Sequence, residues 1–192
     1  DIIAAARIIA KRYQGNKGHI RNLEKLALSI FDKMKKISGL GERQRLLLQI
    51  AVILHGCGKY INLSDAAQCS YSIIMATEII GLSTVERSII ANVVRYNTVE
   101  FTMEDVLTQQ LRPEDYLVIV KLVAILRVAN ALDRSHKQKF EQVRLILKDA
   151  QLEIVVDTSE DITLEKGLFP PKADYFEEVF HVRPMIRKKK NL

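Results

Sequence analysis

"AVILHGCGKYIN", residues 51–62, carries an apolar helix into a polar exit, and how it is read decides the fold. His55 stands where the apolar run stops, and Gly56, Cys57, Gly58 and Lys59 follow at once. Three chemistries suit that order: a metal ligand at a helix end, a glycine turn whose bared N–H groups cradle phosphate, or a capped helix terminus. Just upstream, Glu42 to Leu54 is nearly all apolar, and Leu48, Val52 and His55 continue one face. That spacing predicts a central buried helix.

On the N-terminal side, residues 1–13 have helical periodicity. After Gln14-Gly15-Asn16 a second helix places Leu23, Leu26, Ala27, Ile30, Phe31 and Met34 on one stripe, which His19 extends by one turn. Ser38-Gly39-Leu40-Gly41 breaks it. On the C-terminal side, Ser70 to Ile80 reads as a helix ended by Gly81, and Ser83-Thr84-Val85-Glu86 is a capping box opening another that runs to Asn97. Thr98 to Arg112 reads as a polar link, and Pro113 suits the first turn of a long apolar helix, Tyr116 to Leu132. Leu122, Leu126, Ala129 and Asp133 share one of its faces. Beyond it, "VRLILKDAQLEIVVD" (143–157) reads as a β-hairpin turning at Lys148-Asp149-Ala150, Asp174 to Phe180 as a short helix, and the remainder as a basic tail. The expected fold is therefore mainly α: a helical bundle over residues 1–140 followed by a small α+β unit over 141–192.

The chain has 192 residues, 48% hydrophobic and 27% charged, enough for a substantial core and too apolar for general disorder. Its formal net charge of +6 suits an anionic partner. Cys57 and Cys69 lack the number and spacing of a disulfide scaffold or zinc knuckle, so free thiols and a cytoplasmic location are expected. No stretch approaches the roughly 20 apolar residues of a membrane span. The six tyrosines are scattered rather than interleaved with a basic stripe, so no platform for stacking a single-stranded nucleic acid is expected. An opening on Asp1, directly inside a helical pattern, predicts a piece of a longer protein.

His19, His55 and Asp133 each extend an apolar stripe at or near a helix end, which predicts their convergence in one pocket. Imidazole nitrogens and a carboxylate suit a divalent metal; equally, each residue can satisfy a buried backbone group. Their order resembles the HD superfamily of helical phosphohydrolases, which carries a histidine, a His-Asp doublet on a later helix and a distant aspartate. Here the doublet reads His55-Gly56, so the resemblance implies that a metal-ligating carboxylate is gone and that His19, His55 and Asp133 are vestigial positions with no metal expected. The alternative is an active metal-dependent HD phosphohydrolase using these three residues with Asp65 or a water as a substitute ligand.

A narrower resemblance covers nearly the whole chain. Gly58-Lys59-Tyr60-Ile61-Asn62, Ser70-Tyr71, Val94-Arg95-Tyr96 and Leu132-Asp133-Arg134-Ser135-His136 are similar to the C-terminal helical domain of the exopolyphosphatase and guanosine pentaphosphate phosphatase family. Cys69 stands where many relatives carry a histidine. The resemblance implies a non-catalytic module that binds polyphosphate or guanosine polyphosphates, supports a homodimer, and follows N-terminal actin-like domains that carry the catalytic carboxylates and Mg2+. No cofactor is expected in this segment itself. The phosphate-binding candidates are Lys59, Arg95, Arg134, His136 and Lys137: Arg134 as a planar fork, the lysines as point charges. The cations of residues 134–139 also complement the dipole of the helix they follow.

Overall fold

The computed structural model describes residues 1–134, 138–140 and 142–189; the expected ligands His136 and Lys137 lie outside the described residues. In chain order the helices are α1 (Ile2–Arg12), α2 (Lys17–Ser38), α3 (Glu42–Leu54), α4 (Ala66–Ala76), α5 (Thr84–Tyr96), α6 (Met103–Gln109), α7 (Pro113–Leu132) and α8 (Thr163–Phe180). A 3-10 turn, Cys57–Tyr60, follows α3, and the strands are β1 (Val143–Lys148), β2 (Gln151–Val156) and β3 (Arg183–Lys188). The chain is thus mainly helical with a small sheet near its C-terminus, as the patterning predicts. It gathers into two compact units, each drawn from two stretches: Asp1–Asn16 with Leu40–Val123, and Lys17–Gly39 with Ala124–Leu192.

In the first unit α3 is the centre. Leu47, Leu48, Ile50, Ala51, Val52, Ile53 and Leu54 are buried, so the helix is covered on all sides of its second half, and α1 and α5 pack against it. The α5 capping box forms as expected: the Glu86 N–H donates to Ser83 Oγ at 3.1 Å and the Ser83 N–H to Glu86 Oε1 at 3.0 Å. Arg43 also reaches Glu86, at 2.5 Å, and this hydrogen bond is the main reason the Glu86 carboxyl is held down at about 2.

In the second unit α2 buries its stripe, from His19 and Leu23 through Ile30 and Phe31 to Met34, and touches β1. The hairpin forms with Lys148 opposite Gln151, and its corner residues Asp149 and Ala150 both take positive φ. Glu165 on α8 is fully buried, with Lys139 Nζ 3.4 Å from its carboxylate and donating to the Asp161 carbonyl at 2.6 Å. Lys139 is therefore committed to a buried acid.

Four elements depart from the sequence reading. Helix α4 begins at Ala66, because Asn62 Oδ1 accepts from the N–H groups of Ser64 and Asp65 and turns the chain early, and it ends at Ala76, where Thr77 is extended. The polar link 98–112 contains α6, opened by a Thr102/Asp105 capping box. Helix α8 starts at Thr163 and runs through Pro170 and Pro171; it keeps two residues without N–H donors because Phe169, Ala173, Phe176 and Phe180 anchor one face. The tail contains β3, a parallel edge strand on β2 that tolerates Pro184.

The turn after α3 is set by close approach. The Gly58 N–H donates to Ser70 Oγ at 2.8 Å, and a Cβ at position 58 would collide with the Ala66 carbonyl oxygen and the Ser70 nitrogen, both backbone atoms that cannot swing aside. At Gly56 a Cβ would meet nothing within 4 Å. Gly58→Ala should therefore lower unfolding free energy by about 3 kcal/mol, whereas Gly56→Ala should change it by less than about 0.5 kcal/mol, as read by urea denaturation.

Candidate functional site

The second unit brings His19 and Asp133 together, 114 residues apart in sequence. His19 Nδ1 and Asp133 Oδ2 are 2.7 Å apart, and both side chains are buried. His19 enters on the first turn of α2, on the stripe that faces the core. Asp133 follows the last residue of α7, where its own N–H bonds the Asn130 carbonyl. The other Asp133 oxygen, Oδ1, accepts the Gln138 N–H at 2.8 Å. Burial, the largest influence, raises the carboxyl; the hydrogen bonds from His19 and Gln138, with the charge of His19 and the Asn22 amide behind them, outweigh it and hold Asp133 below the usual carboxylate range. The ionised carboxylate accepts, so the His19 proton sits on Nδ1.

Asn22 is the residue the sequence reading missed. It lies one helical turn from His19, is buried, and its Nδ2 has no hydrogen-bond partner at ordinary geometry. Its only signal in the sequence is the i, i+3 spacing from His19, which a polar residue on a helix seldom makes legible.

His55 belongs to the first unit, where it caps its own helix: Nδ1–H donates to the Val52 carbonyl at 2.6 Å. Its role as a capped terminus is one of the three the sequence left open. The cradle reading finds its N–H groups engaged, that of Gly58 on Ser70 Oγ and that of Lys59 on the Gly56 carbonyl. The donors do not fit a metal. His19 Nδ1 is engaged by Asp133, Gly56 supplies no ligand, and burial pushes the Cys57 thiol up to about 11, far from the thiolate a metal needs. Among the described residues no group of three or more His, Cys, Asp or Glu is arranged to hold an ion.

Of the expected phosphate ligands, Lys59 is exposed on the 3-10 turn and Arg95 is half-buried near the end of α5; α4 packs against both elements. The Arg95 guanidinium lies over two rings, 5.3 Å from the centre of Tyr71 and 5.1 Å from that of Tyr96. The rings fix its plane. Arg134 is exposed and belongs to the second unit. Among the described residues no helix is long and apolar enough to cross a membrane.

With this geometry in hand, comparison with known proteins gives one positive result: residues 3–169 match the family model described as Ppx/GppA phosphatase, domain III. No curated protein matches the chain.

Asp133→Ala leaves His19 buried without its acceptor and should cost about 3 kcal/mol; the His19→Ala/Asp133→Ala double variant should cost clearly less than the sum of the single changes. Asp133 is held below its unfolded value, so its contribution is fully present above about pH 4 and is lost as pH falls through the folded value. The stability gap between the wild type and Asp133→Asn should therefore be flat near neutrality and close on acidification, as followed by urea denaturation across pH.

Proposed function

The chain belongs to the Ppx/GppA phosphatase family, matching its domain III, and on that premise we propose that it is a non-catalytic module that holds the phosphate chain of polyphosphate or of guanosine polyphosphates. The observation that carries this reading is the closure of His19 and Asp133 on each other: the residues a hydrolytic centre would use are committed to structure. What remains suited to a polyanion is cationic. Lys59, Arg95 and Arg134, with His136 and Lys137 beside the last, are the groups that would meet it, and Arg95 in its aromatic mount is the most constrained of them. Support of a homodimer and service to catalytic domains elsewhere in a parent chain belong to the same proposal, and the family resemblance is their support.

A pre-oriented guanidinium loses little freedom on binding, and each charge-assisted contact contributes more than a neutral hydrogen bond. Titration calorimetry of the chain with linear polyphosphate at moderate salt tests the reading. Reversing charge at Lys59, Arg95 and Arg134 together should weaken binding more than about tenfold. Affinity unchanged by the triple reversal would sink it.

A further inference from the structure

The sheet of the second unit has the strand order β1-β2-β3, so β1 and β3 are its two edges. The Asp157 N–H donates to the Gln142 carbonyl at 3.3 Å, and in the unbroken antiparallel register that follows, the backbone groups of Arg144, Ile146 and Lys148 face β2. Val143, Leu145 and Leu147 therefore aim their N–H and C=O groups away from the sheet, and among the described residues nothing pairs with them. The other edge is blunted. On β3 the N–H groups of Arg183 and Lys189 bond the Ala150 and Val156 carbonyls, so Pro184, Ile186 and Lys188 face outward. A residue without an N–H and a charged one are devices that keep a strand edge from pairing. Strand β1 has no proline and no bulge, and its three outward positions carry only apolar side chains.

Those three side chains share a sheet face with Val156, Ile154 and Leu152, which are fully buried, yet they are themselves only half-buried. Val143 and Leu145 line a groove with Leu26 and Ile30 of α2 and with Leu132, together with Lys25 and Ser29. Backbone groups along an edge and an apolar row beside a groove are what an added strand requires. We propose that this strand is β1 of a second copy of the chain, paired antiparallel across a two-fold axis so that the two three-stranded sheets become one. The proposal rests on the homodimer part of the functional reading above and gives it a surface.

The charges on β1 select the register. With the axis at Leu145, Leu145 faces the partner subunit's Leu145, Val143 faces the partner subunit's Leu147, and Arg144 faces the partner subunit's Ile146; the outward backbone groups of the two strands then meet each other. Moving the axis to Arg144 or to Ile146 sets Arg144 directly against Arg144 or Lys148 of the partner subunit, and like charges in that position are destabilising. In the Leu145 register the apolar row of each strand lies on the groove side of the other, so each copy covers the opening its partner leaves.

Sedimentation velocity of the chain and of Leu145→Lys reads the dimer, with circular dichroism to check the fold of the variant. Leu145→Cys under oxidised glutathione reads the register, because directly opposite α-carbons of a hydrogen-bonded pair lie about 5.5 Å apart, within reach of a disulfide. The wild type should sediment as a dimer, and Leu145→Lys should raise its dissociation constant at least about tenfold. Leu145→Cys should give a disulfide-linked dimer, which Lys148→Cys and the wild type should not; if Leu145→Lys does not fold, this crosslink decides. A dimer that a folded Leu145→Lys leaves intact, or a Leu145→Cys that does not crosslink, overturns the β1 interface and spares the homodimer. A wild type that is monomeric up to its solubility limit overturns the interface and the homodimer together and leaves the edge to a strand of another protein, while phosphate binding stands on its own titration.

Discussion

The hydrogen bond between His19 and Asp133 joins the two stretches of chain that build the second unit. Each partner is buried, and each would be costly there alone: an imidazole N–H without an acceptor, a carboxylate without donors. Together, with the Gln138 N–H on the second carboxylate oxygen, they are satisfied, and the beginning of α2 is tied to the exit of α7. The same pairing determines what the site can do. With each oxygen accepting from a protein donor, the carboxylate is fixed in place and in turn fixes the plane of the His19 ring through Nδ1.

The first unit answers the matching question at His55. There a histidine that closes a helix, a glycine that admits another helix's backbone and a lysine on the turn follow one another in five residues, 55–59. The glycines serve packing and chain direction, and Lys59 is exposed on the turn. Arg95, over the rings of Tyr71 and Tyr96, and Arg127, over the ring of Tyr175 in the second unit, follow one principle: an aromatic ring fixes the plane of a guanidinium group. Membership of the Ppx/GppA phosphatase family gives that cationic surface a phosphate-bearing context.

Much of this was legible in the sequence where local signals and burial agree. The α2 stripe, the Ser83/Glu86 box and the alternation of 143–157 each specify an element without help from distant contacts. His19 and Asp133 were legible as polar residues continuing apolar faces, although their pairing partner was not. Thr102 and Asp105 use the same capping grammar as Ser83 and Glu86, yet α6 buries no residue, so periodicity offered nothing to extend. Pro170-Pro171 reads as a stop, and only the burial of Phe169, Phe176 and Phe180 explains a helix through it. Strand β3 depends on parallel pairing with β2, separated from it by all of α8, and such non-local pairing leaves no short-range mark.

The central claim is that the His19–Asp133 pair is closed to metal. Elemental analysis of the freshly purified chain tests it most directly. The account predicts manganese, iron and zinc all far below one equivalent per chain, with the same result after incubation with each metal and desalting. A stoichiometric metal that is retained by the wild type and lost in His19→Ala would contradict it.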